Sequence, residues 1–166
     1  DYKVAYKPQY LDNNIENTVE GYLRENAGDN FESGWYRQQI LEKLGLSNIL
    51  ANEIKTLSGG ELQKLHIAVC LSKDSQVILM DEPSAFVDVE DRLKVAEVIK
   101  DFVIQREICA IVVDHDIQFI DYLGDSMLVF EGEASVSGHV FGPLKKVDGM
   151  NRILKNLDIT YRKDKE

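Results

Sequence analysis

The sequence of 166 residues lacks the features of a membrane or a disulfide-bonded protein. No apolar run approaches the roughly 20 residues that a membrane-spanning helix needs. The first residues do not have the charged-then-apolar pattern of a signal peptide. The chain has only two cysteines, Cys70 and Cys109, and neither has the spacing of a metal site. These absences predict a soluble, cytoplasmic protein with two buried, reduced thiols.

A second absence concerns phosphate binding. The sequence contains no Gly-x-x-x-x-Gly-Lys-Ser/Thr motif. In proteins that have this loop, its backbone N–H groups hold the α- and β-phosphates of a nucleotide, and its lysine reaches the β- and γ-phosphates. The sequence therefore offers no group of this kind for holding those phosphates.

Composition and charge indicate a folded globular domain. The chain is 44% hydrophobic and 29% charged, and its formal net charge is −10. Residues 145–166 carry a net charge of +3, which leaves −13 on the rest. An acidic body disfavours general binding to nucleic acid. The basic tail predicts either a contact with RNA or a partner domain, or a solvated helix face followed by a disordered end, and its charge alone favours the second.

The most informative motif is Leu57-Ser58-Gly59-Gly60-Glu61. Ser58 and Glu61 have the spacing of a capping box at the start of a helix. The two glycines would then occupy the first helical positions, although each costs about 1 kcal/mol relative to alanine in a helix interior, and less at an end. Bare N–H groups at the positive end of a helix can close on a phosphate. The motif alone equally allows an ordinary cap with a flexible entry.

Acidic residues follow two predicted buried strands. One strand, at 77–80, runs into Asp81 and Glu82, and the second, at 108–113, runs into Asp114 and His115. Ligands of α/β proteins bind at the carboxyl ends of parallel strands. Asp81 therefore suits Mg²⁺, directly or through water, and Glu82 suits a water that it orients or deprotonates. If both strands share one sheet, His115 lies near the carboxylates; the alternative is a solvated turn with a structural histidine.

Apolar periodicity and cap residues predict the remaining elements. A small helical lobe is expected between the first two strands, and a hairpin is expected near the end of the chain. The predicted helices cover residues 15–23 (beginning near Asn13 or Asn14), 35–44, 58–71, 89–105, 117–123 and most of 143–157, with a helical turn at 49–54; the remaining predicted strands cover 3–6, 126–130 and 134–141, and 26–33 is a loop.

Taken together, the motifs resemble those of an ABC-type ATPase domain. LSGGE at 57–61, VILMDEP at 77–83, SAFVD at 84–88 and the His of VDHD follow the family's order, and Tyr6-Lys7-Pro8-Gln9 resembles its Q-loop. The resemblance implies an α/β fold, namely a partial P-loop ATPase domain with a mainly parallel sheet core and a helical subdomain at about residues 10–72. DEPSAFVD and the ending at 149–164 are similar to the second nucleotide-binding domain of the ribosome-recycling ATPases, the RNase L inhibitor family.

The resemblance also implies roles for individual residues. The nucleotide-contacting and catalytic set comprises Gln9 (γ-phosphate and Mg²⁺), Ser58, Gly59 and Gly60 (the γ-phosphate of a nucleotide held by a partner domain), Glu61 (nucleotide binding), Asp81 (Mg²⁺), Glu82 (catalytic base), Asp88 (nucleotide binding across the dimer interface) and His115 (γ-phosphate switch). Three residues depart from the family pattern: Lys64 in place of Arg, Val87 in place of Leu, and Asp114 in place of Glu. All three changes are conservative, and none removes a group needed for the chemistry.

For the whole chain, the resemblance predicts an ABC ATPase domain at 1–142 that lacks its phosphate-loop part, cut just before its Q-loop, and a C-terminal helix with a hinge-like basic tail at 143–166. ATP and Mg²⁺ are the implied ligands, and iron–sulfur clusters belong to a family region absent here. The implied partners are a second ABC domain, ribosomal subunits, and release or initiation factors, without a membrane. The implied function is to close a nucleotide sandwich that splits ribosomal subunits.

Two alternatives stay open. One is the ATPase subunit of a membrane ABC transporter, against which DEPSAF and the hinge-like tail argue. The other is a non-catalytic module, since a chain without a phosphate loop is expected to bind no nucleotide and to be inactive alone.

Overall fold

The computed structural model of the protein describes residues 3–123, 127–131, 136–141 and 160–163. The helices are α1 (Val19–Ala27), α2 (Gly34–Tyr36), α3 (Gly59–Cys70), α4 (Val89–Arg106) and α5 (Ile117–Leu123), and the strands are β1 (Val4–Lys7), β2 (Val77–Asp81), β3 (Cys109–Val113), β4 (Met127–Glu131), β5 (Val136–Phe141) and β6 (Thr160–Lys163). No helix in these ranges is long and apolar enough to cross a membrane.

The strands form one sheet in the order β1-β2-β3-β5-β4-β6. β1, β2 and β3 are parallel, with Lys7 opposite Met80 and Asp81 opposite Val113. Because their carboxyl ends leave the same edge of the sheet, the residues that follow them converge there. This confirms the predicted α/β fold with its parallel core.

The other half of the sheet is antiparallel. β5 pairs with β3 and with β4, so the predicted hairpin is confirmed. β6 pairs with β4 inside the segment that the sequence suggested was a basic tail, and no sequence pattern predicted this strand. The helix predicted at 143–157 lies outside the described residues, and the domain boundary after residue 142 stays a prediction.

Helices fill the interval between β1 and β2, as predicted, but the first starts later than expected. α1 begins at Val19 and not near Asn13 or Asn14. The Oγ of Thr18 accepts a hydrogen bond from the N–H of Gly21 (3.1 Å) and caps the helix. This contact makes Thr18 the N-cap residue, and Asn13 and Asn14 do not make it.

The segment predicted as one helix at 35–44 changes its winding. α2 continues directly into a π-helical stretch, Arg37–Glu42. Gly45, at φ +73°, then ends the helix as expected. Single 3-10 turns at Gly28–Glu32, Leu46–Asn48 and Ile54–Thr56 replace the predicted loop at 26–33 and the predicted turn at 49–54.

The core joins this helical lobe to the sheet. The buried Tyr36 hydroxyl donates to the carbonyl of Ala68 in α3 (2.6 Å) and fixes α2 on that helix. Cys70 and Cys109 are both buried, as predicted. α3 also packs directly against β1, so the lobe and the parallel strands share one core.

Candidate functional site

The acidic pair at the end of β2 has an unusual backbone. Asp81 is the last residue of the strand, and Glu82 follows it at φ +53°. A non-glycine residue in this left-handed region costs of order 1–3 kcal/mol, and such residues cluster at functional sites. The N–H of Glu82 donates to the carbonyl of Val113 (2.7 Å), which ties the turn to β3. The turn therefore ends β2 and is fixed to the neighbouring strand.

Glu82 and His115 meet across this edge of the sheet. The Nε2 of His115 lies 2.8 Å from an Oε1 oxygen of Glu82, and the Glu82 side chain is 15% exposed while that of His115 is 63% exposed. Burial raises the pKa of Glu82; His115 opposes this effect, and Asp114 and Asp81 add to it. A carboxylate whose pKa is raised accepts a proton from water more readily, as a general base must.

Asp81 and Gln9 leave the same edge of the sheet, because β1 and β2 are parallel neighbours. Asp81 is half-buried, and burial raises its pKa, while Lys7 opposes the shift. Gln9 is exposed. Among the described residues, no three His, Cys, Asp or Glu side chains form a metal cluster. Mg²⁺ in phosphate-transfer sites is held by one or two carboxylates together with substrate phosphates, so Asp81 with Gln9 suits that ion.

The turn after β2 rests on a buried carboxylate that sequence reasoning did not assign a role. Asp114 is 1% exposed. It accepts hydrogen bonds from the N–H (2.9 Å) and Oγ (2.6 Å) of Ser84 and from the N–H of Asp116 (2.9 Å). Asp114 thus joins the two acidic loops, which explains why a carboxylate precedes His115.

Two further buried side chains hold the same turn, and sequence reasoning missed both. The Nζ of Lys7 donates to the carbonyl of Asp81 (2.6 Å) and lies 3.5 Å from that of Glu82. The Nε2 of Gln63, in α3, donates to the carbonyls of Glu82 (2.6 Å) and Ala85 (3.1 Å). One signal existed for Lys7: alternation along β1 places it on the buried face with Ala5. Gln63 sits on the apolar face of its helix.

The predicted capping box at the start of α3 is confirmed. The Oγ of Ser58 accepts from the N–H of Glu61 (3.1 Å), and the carboxylate of Glu61 accepts from the N–H of Ser58 (2.9 Å). The first N–H groups of a helix have no partner within the helix. The cap serves the N–H of Glu61, so the N–H groups of Gly59 and Gly60 remain available at the helix end for an anion.

The two glycines also have a packing role that the motif did not reveal. A Cβ on Gly60 would lie 2.9 Å from the carbonyl oxygen of Phe86, and one on Gly59 would lie 3.1 Å from the Phe86 Cβ. Phe86 is itself left-handed, at φ +64°. The helix end therefore lies directly against the turn that carries Glu82.

The structure thus brings the predicted residues into two groups. Asp81, Glu82 and His115 meet at the sheet edge, and residues 58–61 form the start of the helix that packs on the same turn. Asp88 is the exposed N-cap residue of α4, at the end of the turn. Gln9 is exposed and follows β1 at the same edge of the sheet. Their roles toward nucleotide stay predictions.

We expect Gly60→Ala to destabilise the protein, because a backbone carbonyl occupies the place of the new Cβ. Overpacking of this kind costs about 1–3 kcal/mol. The measurement is the free energy of unfolding in urea. Gly34→Ala is the matched control, since Gly34 also begins a helix and a Cβ there meets nothing within 4 Å. Equal stability of the two variants would contradict the close contact.

Gly60→Asp is expected to destabilise the protein in the same way. Its carboxylate should also repel phosphate.

We expect Lys7 to make stability depend on alkaline pH. Burial lowers the pKa of Lys7 to about 8, from 10.5. The unfolded chain therefore binds more protons than the folded chain between these values, so the contribution of Lys7 to stability rises from pH 8 to 10.5 and is lost as the pH falls. Across this range of pH, the contribution of Lys7 to the free energy of unfolding should change by about 3 kcal/mol.

Denaturation curves of the unchanged protein and of Lys7→Met across pH 7–11 test this expectation. The difference between their unfolding free energies should change over this window, whereas Lys3→Met, at a largely exposed lysine, should track the unchanged protein. A constant difference for Lys7→Met would show that Lys7 keeps its ordinary pKa.

The fold, the paired acids with a facing histidine and the glycine-ended helix are those of an ABC-type ATPase domain. The profile of the ABC transporter family matches residues 2–85, and the chain belongs to this family. Its relatives include an uncharacterized ABC transporter ATP-binding protein of Methanocaldococcus jannaschii (45% identical over all of this chain and 27% of that protein). Protein Pixie of Drosophila melanogaster is 37% identical (97% of this chain, 26% of Pixie). Translation initiation factor rli1 of Schizosaccharomyces pombe is 35% identical (99% and 28%).

Solved structures agree with these relatives. A structure of RNase-L Inhibitor superimposes with a TM-score of 0.75 at 39% identity, covering 100% of this chain and 34% of that one. The archaeal ribosome recycling factor aABCE1, in complex with the ribosomal stalk protein aP1, gives 0.75 at 40% identity (100% and 32%). The predicted resemblance to the RNase L inhibitor family is confirmed. The chain spans about a quarter of the length of the curated relatives it matches.

Proposed function

We propose that this chain is the catalytic part of an ATP-hydrolysing ABC domain that closes a nucleotide sandwich with a second ABC domain and thereby splits ribosomal subunits. The observation that carries the ATPase assignment is the half-buried Glu82 carboxylate, held in a left-handed turn 2.8 Å from His115. The names of the relatives, among them a translation initiation factor and a ribosome recycling factor, support the ribosomal part.

In this proposal, Glu82 orients the attacking water and accepts its proton. His115 holds the carboxylate from one side and would contact the γ-phosphate, while Asp81 and Gln9 would hold Mg²⁺. That ion, when bound, neutralises the charge that develops on the phosphate oxygens. Phosphoryl transfer to water needs mainly positioning and electrostatic stabilisation, and the buried contacts of Lys7 and Asp114 provide the positioning.

The other half-site lies on the same chain. Ser58, Gly59 and Gly60 present a helix N-terminus to the γ-phosphate of the nucleotide held by the partner domain. Asp88, exposed at the end of the turn, lies at the proposed domain interface. One chain then serves two nucleotides: it contributes Glu82 to one and the end of α3 to the other. This role places the protein in the cytoplasm, with ribosomal subunits and release or initiation factors as partners.

The test compares this chain with a protein in which the chain is joined to a phosphate loop and a second ABC domain, hereafter the complete ATPase. We expect only the complete ATPase to bind and hydrolyse Mg-ATP, since this sequence has no phosphate loop. ATP binding by the chain alone would show that other groups hold the phosphates.

The ribosomal part has a separate readout. The complete ATPase should convert ribosomes into subunits in a sucrose gradient, and only in the presence of ATP. Association with membranes instead, with hydrolysis intact, would favour the ATPase subunit of a transporter and overturn the ribosomal role.

A further inference from the structure

Two contacts join the start of α3 to the turn at residues 82–88. The first is the amide of Gln63, a residue with no exposed surface, which donates to the carbonyls of Glu82 and Ala85. The second is the close approach of Gly60 to the carbonyl of Phe86. They lie one helical turn apart on α3, so the helix cannot slide or rotate without displacing the turn.

A displacement of the turn should reach the Glu82 side chain, because hydrogen bonds hold the turn in one conformation. Its own backbone hydrogen bonds run from the N–H of Ala85 to the carbonyl of Glu82 (3.1 Å) and from the N–H of Val87 to that of Ser84 (3.2 Å). Asp114 holds Ser84 from the other side. A shift imposed on the Glu82 carbonyl therefore moves its carboxylate relative to His115.

The Gln63 amide can take only one orientation. Its hydrogen bonds to the carbonyls of Glu82 and Ala85 both use Nε2, and its buried Oε1 has no hydrogen-bond partner within the described residues. Rotating the amide by 180° would set that oxygen against two carbonyl oxygens. An unpaired buried acceptor is unfavourable for stability alone, so this contact fits a positioning role better than a purely stabilising one.

We propose that Gln63 is a positioning residue that couples the two half-sites: nucleotide at the helix end formed by residues 58–60 sets, through Gln63, the position of the Glu82 carboxylate. The inference rests on the proposed function, because it takes those two groups to serve different nucleotides. Hydrolysis at the Glu82 site then depends on occupancy of the other site.

The test uses the complete ATPase and measures hydrolysis at the Glu82 site alone. The partner domain's site is made to bind without hydrolysing, by substitution of its own catalytic glutamate, or unable to bind, by substitution of its phosphate-loop lysine. The coupling ratio is the rate of hydrolysis with the partner's site occupied divided by the rate with that site unable to bind. We expect a ratio of about tenfold for the unchanged chain, within the usual range of coupling between sites, and a ratio near one for Gln63→Met.

Lys64→Ala is the matched control. It removes the Lys64–Asp91 ion pair (2.8 Å) on the same helix without touching the turn. The control should keep the coupling ratio of the unchanged chain. A Gln63→Met protein that also keeps it would overturn the proposal, as would a ratio near one in the unchanged protein. No hydrolysis at all in the unchanged protein would overturn the ATPase assignment itself.

A measurement on the unsubstituted sequence keeps the proposal testable if Gln63→Met does not fold. With the Glu82 site kept empty, nucleotide in the partner's site should slow hydrogen exchange at three N–H groups: that of Glu82, which ties the turn to β3, and those of Ala85 and Val87, which close the turn. Unchanged exchange at all three would show that the helix end does not act on the turn.

Discussion

Replacing Glu82 with glutamine in the complete ATPase is expected to lower the turnover number by about two to four orders of magnitude, the contribution of a general base. Glutamine keeps the shape of the side chain and can still contact His115, but it cannot take a proton from water. Nucleotide binding and domain closure should survive, so that the closed state accumulates. The measurement is steady-state hydrolysis beside retention of labelled ATP after gel filtration.

Glu90→Gln is the matched control for this experiment. Glu90 is an exposed glutamate in the first turn of α4, a few residues beyond the same turn. It should leave the turnover number unchanged. Normal hydrolysis by Glu82→Gln would remove the base assignment while leaving the fold and the family membership untouched.

Burial raises the pKa of Glu82. As the pH is lowered, the unchanged enzyme should therefore lose activity at a higher pH than an enzyme whose catalytic glutamate has an ordinary pKa.

The second large effect is expected from Asp114→Ala, measured as the free energy of unfolding of the chain. Three donors, two on Ser84 and one on Asp116, would lose their acceptor in a buried position. A buried donor left without an acceptor costs about 1–3 kcal/mol. In the complete ATPase the same variant should also lower the turnover number, because the turn that carries Glu82 loses its support.

Asp121→Ala serves as the control, because Asp121 is an exposed aspartate in α5. Surface substitutions of this kind usually change stability by no more than about 0.5 kcal/mol. The free energy of unfolding of Asp114→Asn should lie between those of Asp114→Ala and Asp121→Ala, since an amide oxygen can still accept from Ser84. If Asp114→Ala matched Asp121→Ala, Asp114 would not support the turn.

The parts of the site that could be predicted from sequence were those set by local pattern. Two apolar runs that end in acids predicted neighbouring strand ends, and the structure places Glu82 beside His115 there. The spacing of Ser58 and Glu61 predicted the capping box. In both cases the interacting groups lie within a few residues of an element end, where sequence preferences are strongest.

The supports of the site could not be predicted in this way. Lys7 and Gln63 donate to backbone carbonyls of distant segments, and a carbonyl carries no sequence signal. The same reason applies to Gly60, whose neighbour is the carbonyl of Phe86. The predicted start of α1 was wrong for a different reason. Several residues suitable for an N-cap precede the helix, and only the contact with Gly21 in the folded chain selects Thr18.

The contact between Gly60 and the Phe86 carbonyl changes how mutational data on this motif should be interpreted. A backbone carbonyl cannot be trimmed by a compensating substitution, so no second-site change of a side chain can make room at position 60. Selection would then retain glycine there even in a descendant that had lost all contact with nucleotide. Persistence of this glycine in a lineage reports that the fold is intact, and it says nothing about whether ATP is still bound.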